Sequence, residues 1–188
     1  MLLPPAYYGH TFVVVSSVLV YMSWGAIRRP RSHGFTRFLA WECILLLIWI
    51  NLPVWGDDPL GPQQALALAL LVTSVLLPLH AFRLLRRLGH PSGDVRQDKS
   101  LIGFEKTSKL VTAGAFRYIR HPMYTALICL VWGIFLQQFT WPGLLLGLVA
   151  TGLLVVTAFR EEGECLAHFG EAYHDYMRRT RRFVPFVV

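Results

Sequence analysis

Two short stretches of this chain hold residue types that could do chemistry together. The first is Arg120-His121-Pro122-Met123-Tyr124, preceded by Lys109-Leu-Val-Thr-Ala-Gly114-Ala-Phe116. Proline disfavours helical backbone in the residue before it and suits the first turn of a new helix. His121 therefore belongs at a helix entry, with Pro122 just inside. A helix N-terminus offers free backbone N–H groups and partial positive charge, which suits a carboxylate such as the amino-acid end of a nucleoside cofactor. Gly114 permits a tight turn upstream. The plainer reading of Arg-His-Pro is a membrane-surface anchor that starts a helix.

The second stretch is Arg160-Glu161-Glu162, followed by Leu166, Phe169-Gly170, Tyr173 and Tyr176. On one continuous helix, positions 162, 166, 169, 173 and 176 share a face. The other four residues on that face are apolar or aromatic, so Glu162 is expected to be buried. Glu161 lies about 100° away around the helix. A buried carboxylate needs a partner, because an unpaired charge costs several kcal/mol. The partner is either an arginine, with Arg120 the obvious one, or a cationic ligand.

Other polar residues say less. Glu42 lies about one turn into an apolar run, where acids are functional candidates, yet it is close enough to the end to snorkel or to pair with Arg37 or Arg83. Asn51 and His80 carry a weaker signal, and residues 90–93 read as a turn. The cluster Arg178-Arg179-Thr180-Arg181-Arg182 reads as a basic juxtamembrane segment attracted to anionic lipid, without a catalytic role. Cys43, Cys129 and Cys165 are far apart and form neither a disulfide framework nor a zinc pattern. His10, His33, His168 and His174 show no metal-ligand spacing, and no metal is expected.

The elements that must position these residues are apolar runs at 8–27, 38–55, 64–82, 124–139 and 142–159. A helix needs about 20 residues to cross the hydrocarbon core, so the last two, which are short, are expected to form a helical hairpin turning at 140–143. All 18 Lys and Arg fall after the first run, after the third, or in the tail. The opposite loops hold none, and one carries Asp57 and Asp58. The positive-inside rule then places the N-terminus outside and the C-terminus in the cytoplasm of a bacterial inner membrane or its equivalent. No removable signal peptide is read at the N-terminus.

Composition agrees. Hydrophobic residues make up 54% and charged residues 15% of the 188, against about 25% charged in soluble domains. Mean hydropathy is +0.46. The net charge of +7 invites a nucleic-acid reading, which the position of the charges between apolar runs excludes. The expected fold is all-α: one polytopic membrane domain (1–188) with about five transmembrane helices. Three spans occupy 1–82. The cofactor-binding part, 83–188, holds the hairpin 124–159 and a C-terminal helix 160–178. A cytoplasmic cofactor pocket is expected between the 83–123 connection and that helix.

Taken together, 110–124, Arg160-Glu-Glu162, Phe169-Gly-x-x-Tyr-x-x-Tyr176 and the closing Phe183-Val-Pro-Phe186 resemble the isoprenylcysteine carboxyl methyltransferase family and its bacterial relatives, which include phospholipid N-methyltransferase-like members. The resemblance covers about residues 101–186. It implies S-adenosylmethionine, held between the Arg-His-Pro-x-Tyr loop and the Glu-Glu helix. His121, Pro122 and Tyr124 would contact this cofactor, with Ser108, Lys109, Leu110, Val111 and Phe116 lining the upstream part of the pocket. Where the family often has tyrosine, this chain has Phe116. The family glutamate near the sulfonium corresponds to Glu161 or Glu162; the helix-face argument favours Glu162. The arginine that eukaryotic members place one turn earlier corresponds to Thr157 or Ala158, with Arg160 the nearest arginine, which argues against a prenylcysteine carboxylate as acceptor.

Methyl transfer from a sulfonium is an in-line displacement that needs no metal and no covalent enzyme intermediate. Positioning supplies up to about 7–11 kcal/mol in such reactions. Glu162 could hold the cationic donor, and Arg120 or Arg160 could orient an acidic acceptor or neutralise a lipid headgroup. A lipid-like or lipid-attached acceptor would enter sideways from the membrane. Two other readings stand beside this one: an NADPH-dependent membrane reductase of the sterol-reductase type, which shares the Arg-His-Pro-x-Tyr ending, and a non-catalytic membrane scaffold.

Overall fold

The computed structural model describes residues 5–54, 61–90 and 107–186. The loop with Asp57 and Asp58, most of the 90–93 turn and the middle of the 83–123 connection lie outside the described residues. Seven α-helices occur among the described residues: α1 (Pro5–Met22), α2 (Trp24–Ile27), α3 (His33–Asn51), α4 (Pro62–Leu88), α5 (Pro122–Phe135), α6 (Trp141–Phe169) and α7 (Glu171–Arg179). No strand is present among these residues; Ile119 and Arg181 form an isolated parallel bridge.

Three helices, α3, α4 and α6, are long and apolar enough to cross a membrane; α5 and the Gly9–Met22 part of α1 are shorter apolar helices. The 29 residues of α6 extend about 44 Å, more than the roughly 30 Å hydrocarbon core. Its end therefore emerges. Arg160 is the first charged residue of α6, so the Glu161–Glu162 pair lies beyond the spanning part.

Local chemistry moves three expected boundaries. The first apolar run divides at Ser23 into α1 and α2. The hairpin turns at residues 136–140 rather than 140–143: Thr140 caps α6 by accepting a hydrogen bond from the Gly143 N–H at 3.1 Å, and Pro142 sits in the first turn, where its missing N–H costs nothing. The expected continuous helix 160–178 breaks at Gly170, whose φ is +56°. That backbone is open to glycine and strained for other residues, and it turns α7 away from α6.

The centre of the bundle is the packing of α3, α5 and α6. Ile44 and Leu47 from α3 meet Val131 and Ile134 from α5 and Ala150 from α6. Nearer the site, Ala40, Tyr124, Leu154 and Ala158 enclose Phe183 of the tail. Small residues let the backbones approach closely, which matters where lipid removes most of the hydrophobic gain. Polar links fix the register of α3 against α6. The Thr157 hydroxyl donates to Thr36 Oγ1 at 2.9 Å, His33 Nδ1 lies 2.6 Å from Glu164 Oε2, and Arg160 Nη1 donates to the carbonyls of Pro30 at 2.8 Å and Ser32 at 3.2 Å. On the outer side of α3, α1 adds a Phe12–Trp49 ring contact and a Ser16 hydroxyl that donates to Glu42 Oε2 at 2.9 Å. Glu42 thus meets a serine of α1, not Arg37 or Arg83.

The α4 helix packs chiefly on α5, with Gly133 at the closest approach. A Cβ added there would stand 3.0 Å from the Leu71 side chain and 3.2 Å from the Ala67 carbonyl oxygen. Gly133→Leu is therefore expected to push α4 off α5 and lower stability by about 1–3 kcal/mol, seen as a lower melting temperature in detergent, whereas Gly152→Leu, whose Cβ meets nothing within 4 Å, leaves it near the parent value.

Candidate functional site

The site forms where α5 begins and α6 emerges. His121 occupies the N-cap position of α5 and Pro122 the first turn, as the Arg-His-Pro spacing requires. The backbone before it is held by the tail: Arg181 N–H donates to the Tyr118 carbonyl at 3.0 Å, Arg120 N–H to Arg181 at 2.7 Å and His121 N–H to Arg182 at 3.0 Å. Thr125 Oγ1 adds a bond to the Phe183 carbonyl at 3.0 Å. Upstream, Gly114 has φ +59°. A Cβ there would meet Leu84 and His80 of α4 at 2.5 and 2.6 Å. Glycine is thus required both by conformation and by the space left against α4.

Two carboxylates face this strap from α6, in different states. Glu162 is buried, and both its oxygens are engaged. Arg120 Nε donates to Oε1 at 2.7 Å, and Arg182 Nε and Nη2 approach Oε2 at 3.0 Å each. Arg120 is itself committed, since its Nη1 also donates to the Met177 and Thr180 carbonyls. The His121 ring lies between the acids, with Nδ1 3.6 Å from Glu161 Oε2 and Nε2 3.4 Å from Glu162 Oε1. It can donate to both only as the imidazolium, which has two N–H groups. Tyr124 stacks on it at 5.4 Å with the rings 17° apart.

Electrostatics follow from this geometry. Burial alone drives the His121 pKa down, but the hydrogen bonds and charges of Glu161 and Glu162 outweigh it and raise the value above the ordinary imidazole range. Burial works against ionisation of Glu162 too, yet His121, Arg120 and Arg182 bring its pKa down to about 2. Glu161 is likewise held well below the usual carboxylate range: burial is outweighed by the hydrogen bond and charge of His121, the charge of His33 and the Tyr124 hydroxyl. The phenols of Tyr173 and Tyr176 are pushed up, first by burial, and stay protonated. Tyr176 donates to the Phe116 carbonyl at 2.7 Å.

A cavity of about 230 Å³ opens beside the acid pair. Its wall includes Leu110, Val111 and Phe116 from the connection, Arg120, His121, Pro122 and Tyr124 from the strap and α5, and Glu161 from α6. Other residues expected at the site stand elsewhere. Ser108 and Lys109 clip onto the end of α4, through Ser108 Oγ to the His90 carbonyl at 2.9 Å and Lys109 N–H to the Gly89 carbonyl at 3.2 Å. Glu162 lies behind the wall, within the arginine cluster. Arg160 ties α6 to the segment before α3. Cys165, Phe169, Tyr173 and Tyr176 also line the cavity, as do Arg37 and Trp41 of α3 and Ser74 and Pro78 of α4. The contribution of α3 and α4 was missed in the sequence, although Pro78 inside an apolar run was an available signal.

A family model for phospholipid methyltransferases matches residues 62–174. That stretch is more than half of the chain, and it runs from the start of α4 into α7. The chain belongs to the phospholipid methyltransferase family. As a member of this family with three apolar spans, it is an integral membrane protein of a methyltransferase type. Comparison with curated proteins and with solved structures finds no significant match. The family match contains the acid pair, Arg120 and His121, while Arg182 and the whole of α3 lie outside it.

The raised pKa of His121 fixes a sign. The protonated ring stabilises the fold fully below its unfolded value near 6.5, and this contribution is lost as pH rises through the folded value. The melting temperature of the ligand-free protein is expected to fall over that alkaline interval, and His121→Gln to flatten the slope; an unchanged slope in the variant would show that another group titrates. Glu162→Ala leaves Arg120 buried without its carboxylate and is expected to cost about 3–5 kcal/mol.

Proposed function

We propose that this phospholipid methyltransferase family member transfers a methyl group from S-adenosylmethionine to a lipid-like or lipid-attached acceptor at the cytoplasmic membrane face. The observation that carries the reading is the asymmetry of the acid pair: Glu162 is saturated by two arginines, whereas Glu161 faces a largely apolar cavity lined by aromatic rings. The residues present fit the cofactor. Glu161 and the rings of Tyr124 and Tyr173 suit a cationic sulfonium, the first turn of the 14-residue α5 offers N–H groups to a carboxylate, and Phe116, Phe169 and Tyr176 suit a flat heterocycle.

When bound, the cofactor supplies an electrophilic methyl on positively charged sulfur. The chain's own residues bind, orient and exclude water. Glu161 stays anionic at ordinary pH and places negative charge where a cation must sit. His121 holds Glu161 in position and is itself fixed by Tyr124 and Glu162. The sequence expectation preferred Glu162 as the cofactor carboxylate; we assign that role to Glu161 and a positioning role to Glu162, Arg120 and Arg182. Arg160 acts in helix registration. The family match favours methyl transfer over the reductase and scaffold readings. The confinement of all 18 Lys and Arg to one set of loops and the tail supports a cytoplasmic C-terminus.

Calorimetry with S-adenosylhomocysteine tests this. Binding is expected in the parent, weakened tenfold or more (about 1.4 kcal/mol) by Glu161→Gln in a protein that still unfolds cooperatively, with a lower melting temperature because the His121 ring loses one of its two carboxylate partners. Equal binding by that variant would move the role back to Glu162, and binding of NADPH in place of the nucleoside thioether would support the reductase.

A further inference from the structure

Three tyrosines line the cavity among the described residues, Tyr124, Tyr173 and Tyr176, and their hydroxyls are not equivalent. The Tyr124 hydroxyl serves Glu161, and Tyr176 donates to the Phe116 carbonyl at 2.7 Å. The hydroxyl of Tyr173 makes no hydrogen bond among the described residues, although Tyr173 is only 4% exposed. A buried O–H without a partner is costly, and in a cavity wall the partner comes from whatever enters the cavity. Burial, with the charges of Glu161 and Glu162 nearby, pushes the Tyr173 pKa up. The phenol therefore stays protonated; it donates and accepts hydrogen bonds and is not a base.

The fold sets where along the cavity this hydroxyl stands. Glu161, Cys165 and Phe169 are spaced four residues apart on α6, so they form one row along the helix at intervals of about 6 Å. All three line the cavity. The positive φ of Gly170, +56°, folds α7 back on this row, and Tyr173 packs with Cys165 at its middle. Its ring meets that of Tyr176 edge-on at 5.7 Å. Tyr173 thus stands between Glu161, whose charge it feels, and Phe169.

A nucleoside thioether carries its groups in a matching order, sulfur, then ribose, then base. With Glu161 at the sulfur and Phe169 among the rings at the base, the sugar falls beside Cys165 and Tyr173. We propose that the Tyr173 hydroxyl holds a ribose hydroxyl of the bound cofactor. This rests on the S-adenosylmethionine reading and adds the sugar contact to it. A sugar hydroxyl donates and accepts as a phenol does, so the two pair in either sense. Tyr173 is then a binding residue that separates a ribonucleoside from its deoxy counterpart, because a polar group committed to a hydroxyl is left unpaired by the analogue that lacks it.

The test is calorimetry on the full-length protein in detergent with S-adenosylhomocysteine and its 2′-deoxy and 3′-deoxy analogues. The parent is expected to bind one analogue about tenfold more weakly than S-adenosylhomocysteine, as for the loss of one hydrogen bond, and that analogue names the hydroxyl. Tyr173→Phe is expected to bind S-adenosylhomocysteine about tenfold more weakly than the parent, and that same analogue no more weakly than the parent does. Its melting temperature without ligand stays at or above the parent value, because no hydrogen bond within the protein is lost. Equal binding of all three compounds by the parent overturns the proposal, whether or not the variant folds. So does a variant that binds S-adenosylhomocysteine as tightly as the parent, and so do losses from residue and sugar that add. In each of these cases the parent still binds S-adenosylhomocysteine and the methyltransferase reading stands. Absence of that binding in a folded parent sinks both.

Discussion

The buried carboxylate of Glu162 is the constraint on which the rest of the site depends. One side chain of α6 joins the strap before α5 through Arg120, the tail through Arg182 and the N-cap of α5 through His121. A lone charge at that depth would cost several kcal/mol, and here it collects three cationic partners. Its neighbour Glu161 can then remain anionic at the cavity wall, because the ring that balances it is already held in place from behind. The two adjacent acids thus divide the work: one fixes the geometry, the other presents charge.

Much of this was legible in the sequence. Pro122 fixed the start of α5, Gly114 the turn before it, and the 162/166/169/173/176 spacing put Glu162, Tyr173 and Tyr176 on the buried side even though Gly170 interrupts the helix. The break leaves the pattern intact because α7 folds back, so that Tyr173 and Tyr176 still pack with Cys165. The Glu162–Arg120 pair was visible as the simplest way to neutralise an acid on an apolar face.

Other features were out of reach for physical reasons. Which of two adjacent glutamates faces a cavity depends on what stands behind each, and Arg182 gives no local sign that it will return to α6 by way of the strap. The count of about five spans rested on apolar runs, whereas the length and composition of the helices among the described residues support three; the 14 residues of α5 do not reach spanning length by themselves. The part played by α3 was hidden because Arg37 reads in sequence as the last cation of a loop, whereas the helix starts at His33 and carries it into the bundle.

The attachment of α4 has a mechanical consequence. This helix is seated on α5 along a seam that includes Gly133, while α3, α5 and α6 are bound to one another by packing and polar links. Among the described residues α4 meets the rest of the bundle mainly through α5 and the turn around Gly114, so the place of its part of the cavity wall is set by that seam. Substitutions along the seam therefore alter the α4 part of the cavity wall without touching the cluster of Glu162, Arg120 and Arg182. The width of the cavity and the geometry of its charged residues are thus set by different contacts of one small bundle.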